Sequence, residues 1–273
     1  MKLIRVDHDN HRLACLLTDG GVIPVRAIDP SIPNDILGII QNGGLGDIGP
    51  LDGLDAIPFE EVTPLLPYDA PPKIWCIGLN YHSHAEDINA VQPEEPGSFM
   101  KPASCMFRPG GEIVLPPPHI SSDVDAEGEL GVIIGRRSRF LTPEDVPAAI
   151  FGYTTTLDLT ALDVLRKNPR YLTRAKSIDT FFSFGPVVVT ADEIEDVSRL
   201  EVITEHNGSI CSRDFVINMK HNPYELVRFH SDFMTLYPGD LISTGCPKGA
   251  RIKAGDRVRA RIDGVGTLEA SVR

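Results

Sequence analysis

The chain has 273 residues, 42% of them hydrophobic and 23% charged, and a formal net charge of -12. That length suits one large domain or a small unit followed by a larger one. The acidic balance argues against a nucleic-acid surface, which needs a basic stripe to meet phosphates.

Turn signals at the N-terminus divide short apolar runs. "KLIRV", "RLACLL" and "VIPVRAI", separated by "HDN" and "TDGG", predict a small β-meander. A Gly- and Pro-rich passage from "QNGGLGDIGPLDG" to "LLPYDAPPK" predicts a connection, with a boundary near Pro71 between a β-rich unit over 1–70 and a larger one over 71–273. "KIWCIGL" then reads as a buried strand, and "NYHSHAEDINA" as a short helix or ordered loop. "LTPEDVPAAIFG" predicts a short helix, with Thr142 at the N-cap, Pro143 in the first turn, and Glu144 and Asp145 where the helix dipole favours negative charge. "YTTTL" predicts a strand ending at Asp158, and "DLTALDVLRKN" a helix through Leu159, Leu162 and Leu165. Asn222 and Pro223 open another helix, and the alternation in "DRVRARIDGVGTLEASV" predicts a closing hairpin around Asp263 and Gly264. Strands and helices mix without a steady βαβ rhythm, so the fold class is α+β.

Cys15, Cys76, Cys105, Cys211 and Cys246 are odd in number and form no C-x-x-C pair. This points to reduced thiols rather than a disulfide framework or a zinc site. "MKLIRVDHDN" lacks an apolar signal core and no apolar run reaches spanning length, so the expectation is a cytoplasmic protein with no membrane partner.

In "SSDVDAEGELGVIIGRR", Asp123, Asp125, Glu127 and Glu129 fall on every second residue and run into Leu130, Val132, Ile133 and Ile134. Residues two apart on a strand share a face. Crowded carboxylates raise each other's pKa unless a cation sits among them, and a hard divalent ion takes oxygen ligands. A solvated strand end is the alternative reading of such a run.

"GLNYHSHAED", "DAEGELGVIIG", "FGYTTTLDLTALD", "RAKSIDTFFSFGPVVVT", "LYPGDLISTGCPKG" and "AGDRVRARIDGVGTLEASV" resemble, in this order, the motifs of the fumarylacetoacetate hydrolase family, from about Lys73 to the end. The resemblance implies a mixed β-sheet roll with a small β-rich N-terminal domain, a homodimer, and a bound magnesium or, in its place, manganese or calcium. By similarity Glu127, Glu129 and Asp158 are the metal ligands, while Asp123 and Asp125 are expected to be solvated residues at the strand entry. Lys176 matches the lysine beside the substrate. His84 matches the water-activating histidine of a lid, with Asp87 or Glu86 to orient it and His82 a bystander. The family's hydrolytic members carry Arg and Gln four and seven residues after the metal-binding Asp, where this chain has Leu162 and Leu165. Cys246 replaces the usual Thr of the "TGTP" turn. Arg166, Arg170 and Arg174 are nearby sources of positive charge. The implied activity is cleavage of a carbon-carbon bond in a small 1,3-dicarbonyl or 2-oxo acid, with decarboxylation, hydration, isomerisation or mere ligand binding as alternatives.

Overall fold

The structure is a computed structural model that describes residues 1–51, 53–87 and 90–273, the Asp87 side chain lying outside the described residues. The chain opens with the expected meander: β1 (Lys2–His8), β2 (His11–Thr18) and β3 (Gly21–Pro24). Asp9 and Asn10 both take positive φ, 51° and 62°, as a two-residue hairpin turn requires. The third strand is shorter than expected. Pro24 has no N–H to continue the ladder, and one turn of helix, α1 (Val25–Ile28), follows it. Next come α2 (Ile36–Gln41), with the Gly38 N–H donating to the Asp35 carboxylate at 2.6 Å, and β4 (Thr63–Pro64).

The second stretch holds β5 (Ile74–Gly78), α3 (His82–Asp87), β6 (Gly97–Lys101), β7 (Glu112–Ile113) and the two longest strands, β8 (Val124–Ile134) and β9 (Ile150–Ala161). The helix expected from Thr142 onward does not form. The Thr142 hydroxyl donates to the Asp145 carboxylate at 3.0 Å, and only a 3-10 turn appears, at Pro147–Ala149. Pro147 lies four residues after Pro143, where a second helical turn would need its missing N–H. Strand β9 also runs past Asp158 to Ala161, because every residue from Val124 to Ile134 finds a partner on it. Asp158 and Leu159 are therefore strand residues, and the helix after them starts only at Leu162.

That helix is α4 (Leu162–Lys167), followed by α5 (Leu172–Lys176), β10 (Phe182–Phe184), β11 (Val187–Thr190), β12 (Glu201–His206) and β13 (Ser209–Phe215). Helix α6 (Pro223–Phe233) starts as expected, with a reciprocal cap between Asn222 and Glu225. The chain ends with β14 (Leu241–Ser243), β15 (Ala250–Ile252) and the hairpin β16 (Arg257–Ile262) and β17 (Gly266–Val272).

Among the described residues the strands form two sheets. The larger runs β3-β2-β1-β11-β9-β8-β14-β5-β6, antiparallel except for β14 and β5; the smaller runs β13-β12-β16-β17-β7. The α+β class and the rolled mixed sheet follow. β1 pairs with β11 through Leu3↔Val188, so the meander of residues 1–70 extends the sheet of residues 71–273.

Strands β8 and β9 have two unlike faces. Val124, Ala126, Leu157 and Leu159 pack with Val258, Ala260 and Leu268 of the smaller sheet. Gly128 lets that sheet approach: a Cβ there would lie 2.6 Å from the Thr204 hydroxyl and 2.9 Å from the Ala260 methyl. The other face carries Asp125, Glu127 and Glu129 opposite Thr160, Asp158 and Thr156 in register.

Candidate active site

Because Glu127 and Asp158 are directly paired across two antiparallel strands, and Glu129 is two residues along, their side chains rise on one face. One carboxylate oxygen from each lies within 4.8 Å of the others, and all three residues are buried. Each is held by nearby donors. The Thr160 hydroxyl donates to Glu127 Oε1 at 2.8 Å. The Ser243 hydroxyl and the Gly245 N–H donate to Glu129 Oε2 at 2.5 and 2.9 Å. Gly245 adopts φ of 92°, a left-handed conformation natural to glycine, as the chain turns after β14.

Two ammonium groups enter this cluster. Lys176, at the end of α5, donates to Glu127 Oε2 and Asp158 Oδ2, both at 2.9 Å, and lies 5.1 Å from the centre of the Phe99 ring. Lys101, at the end of β6, pairs with Asp158 Oδ1 and donates to the Leu159 and Phe181 carbonyls at 3.1 and 2.6 Å. Burial alone would lower the Lys176 pKa, but Asp158, Glu127 and Glu129 outweigh it and hold the ammonium well above its ordinary range. Burial would raise Glu127, yet Lys176 and then His84 keep it below the usual carboxylate value. For Glu129 burial, Asp158 and Glu127 all push upward, to about 8. A cation among them would relieve the crowding that keeps Glu129 protonated, and every donor in the triad is a hard oxygen. The set therefore fits a hard divalent cation.

The cluster forms part of a cleft of about 630 Å³. Leu162, Leu165 and Leu172 give it an apolar wall, and Arg166 and Arg251 line it as well. Both guanidinium groups are held by Asp123, at 2.6 and 3.1 Å. Arg170 and Arg174 are exposed and do not line the cleft. The expected solvated pair at the strand entry needs correcting: Asp123 bridges two arginines, and Asp125 is 4% exposed. Asp125 packs beneath Gly249, where a Cβ would lie 2.1 Å from its carboxylate.

Helix α3 brings His84 to the cleft, with a ring nitrogen within 4.8 Å of both a Glu127 oxygen and the Cys246 sulfur. Glu86 pairs with His82 at 3.1 Å, on the exposed side of the helix. The Asp87 side chain lies outside the described residues, as do Ile88 and Asn89 at the end of the same stretch. Burial, then Glu127 and Glu129, push the Cys246 thiol well above its ordinary range. All five cysteines are free. Lys101, Thr160, Ser243 and Arg251 were not singled out by the sequence, since each is placed by pairing with a distant strand and not by a local pattern.

A mixed sheet rolled against a smaller one, with buried carboxylates and lysines on one face, defines an α+β fold of the fumarylacetoacetate hydrolase type. The model of the fumarylacetoacetate (FAA) hydrolase C-terminal region matches residues 73–273, and the chain belongs to that family. It is 34% identical over 262 residues to human "Oxaloacetate tautomerase FAHD2B, mitochondrial", covering 91% of this chain and 83% of that relative. Among solved structures it resembles a fumarylacetoacetate hydrolase from Exiguobacterium antarcticum, with TM-score 0.87, 29% identity, and 100% and 99% of the two chains covered. It also resembles maleylpyruvate hydrolase from Sphingobium sp. SYK-6 in complex with manganese(II) and pyruvate, with TM-score 0.83, 29% identity, and 100% and 98% covered. Among the described residues no helix is long and apolar enough to cross a membrane.

Proposed function

We propose that the protein is a divalent-metal-dependent enzyme that interconverts the keto and enol forms of a small 2-oxo acid. The observation that carries this reading is Lys176, fixed 2.9 Å from both Glu127 and Asp158, in a cleft whose wall at Leu162 and Leu165 offers no hydrogen-bond donor. Glu127, Glu129 and Asp158 would hold the cation, magnesium by their chemistry, with manganese or calcium also matching an all-oxygen set. When bound, it would polarise the adjacent oxygens of the oxo acid. Lys176 would place positive charge beside the enolate oxygen. His84 would take the carbon-bound proton and return it, a role suited to an imidazole near neutral pH. Asp87 is proposed as its orienting carboxylate, since Glu86 is engaged by His82. Arg166 and Arg251 would favour an anionic substrate by their charge.

Hydrolytic cleavage of a carbon-carbon bond is the second reading. Likeness to maleylpyruvate hydrolase favours it, and the same His84 would activate water. It asks for donors to a tetrahedral oxyanion, and a single such donor is worth roughly 2.7 to 4 kcal/mol of barrier. Leu162 and Leu165 supply none.

The deciding assay follows enol oxaloacetate decay, and separately acylpyruvate cleavage, with and without magnesium. Metal-dependent acceleration of the first, lowered about 100-fold or more in Lys176→Ala, is expected. Acylpyruvate cleavage without any effect on keto–enol exchange of 2-oxo acids would replace tautomerisation by hydrolysis.

A further inference from the structure

Glu127 belongs to two clusters at once. With Glu129 and Asp158 it forms an all-oxygen set; with His84 and Cys246 it forms a set of one nitrogen, one sulfur and one oxygen, again with the donor atoms within 4.8 Å of one another. The two sets differ in kind. Carboxylates alone suit magnesium or manganese, whereas imidazole, thiolate and carboxylate together are the ligands of zinc and its neighbours.

The second set is assembled from three separate parts of the fold. His84 comes from α3, Glu127 from the middle of β8, and Cys246 from the turn after β14. No sequence spacing announces it. Its sulfur stands where the family resemblance places a threonine, and a hydroxyl there would be a poor partner for a soft ion. Cys246 is 2% exposed, yet it lines the same cleft as His84 and Glu127, so an ion entering the cleft meets all three.

We propose that His84, Cys246 and Glu127 form a binding site for a thiophilic divalent cation of the zinc class. Ligation replaces the S–H bond of Cys246 by a sulfur–metal bond and releases one proton to solvent for each ion bound. Glu127 exchanges its 2.9 Å bond with Lys176 for the ion. Ligation adds a tie from His84 of α3 to β8, beside the bond Ser83 already makes to the Pro247 carbonyl. The site stands on the geometry of these three residues, whatever reaction the enzyme performs.

The test uses the full chain carrying Cys211→Ser, which removes the one exposed thiol, stripped of magnesium because magnesium on the carboxylate set would compete for the shared Glu127. Cobalt(II) serves as the probe and zinc as the competitor. A sulfur-to-cobalt charge-transfer band is expected, saturating at one equivalent and displaced by zinc. Cys246→Thr should abolish the band and weaken zinc binding about 100-fold, and His84→Ala should weaken it by at least about tenfold. His84→Ala leaves Cys246 and the buried strands in place, so it also serves if Cys246→Thr fails to fold. Hydrogen exchange over residues 82–87 should slow on zinc addition and not on magnesium addition. Absence of the thiolate band, or zinc affinity unchanged in either variant, overturns the proposal.

Discussion

Glu129 is the carboxylate least balanced by its surroundings, with burial and two neighbouring acids driving its pKa to about 8. A folded pKa above the unfolded one means that the group favours the folded state at low pH. That advantage is lost progressively as pH climbs from about 4.5 through about 8, at up to about 1.4 kcal/mol per pH unit. Glu127 and Lys176 do not act in that window, because the first is already ionised and the second stays protonated. Thermal unfolding of the metal-free protein should therefore shift to lower temperature between pH 5 and 8. Magnesium should restore more of the loss at pH 8 than at pH 5, and Glu129→Gln should flatten the profile and lower metal affinity about 100-fold or more. A pH-independent Tm in the metal-free wild type would contradict this account. The residues picked out by local motifs come together in space: Glu127, Glu129, Lys176 and His84 line one cleft, and Asp158 lies beside Glu127 and Lys176. Lys101 was not legible in the sequence, because "SFMKPASC" shows only a lysine beside a proline, and its importance comes from a carboxylate 57 positions away.

Among the elements, β8 carries the heaviest constraints, since one face must bear acids while the other lies against a second sheet. Gly128→Ala would push a methyl group into Thr204 and Ala260. Overpacking of this kind costs about 1 to 3 kcal/mol, and here it also shifts the backbone between two proposed metal ligands. Urea unfolding should show that loss, and calorimetry should show weaker magnesium binding in the same variant. Helix α6 offers a cleaner case: Asn222→Ala removes one half of a reciprocal cap and should cost about 1 kcal/mol without touching metal affinity. Helix α6 could be read in advance because Asn222 and Pro223 each supply a separate local signal. The segment after Thr142 carried similar signals and failed, because Pro147 removes the hydrogen bond a second turn needs. Strand lengths were the least legible feature. "YTTTLDLTA" contains no stop at Asp158, and the end of β9 is set by the length of β8.

At the scale of the whole molecule, the first 70 residues raise a question of autonomy. Their strands hydrogen-bond to β11, and Leu3 and Leu16 share a core cluster with Ile133, Val188 and Leu241. A chain starting at residue 71 would leave β11 with an open edge and this cluster half empty. It is expected to unfold at least about 10 °C below the full chain, or to aggregate through the exposed strand. Calorimetry of the truncated protein checks this, and an unchanged Tm would establish 71–273 as self-sufficient. The composition shift near Pro71 suggests a connection, but sheet continuity is invisible there, because strand partners far apart in sequence leave no mark in either segment. We also infer a homodimer. β13 is the outer strand of the smaller sheet and exposes Ile210 and Phe215, and light scattering of the full chain should return twice the monomer mass.

The pairing of Glu127 with Asp158 also bears on how the strands align. Strand side chains alternate with a period of two, so a slip of one residue between β8 and β9 would turn Asp158 toward the apolar face and set Leu157 among the acids. A one-residue slip would therefore take Asp158 out of the carboxylate cluster. A cation held there would add its binding free energy to the paired register over one-residue slips, so metal would favour the native alignment of the two strands as well as any chemistry.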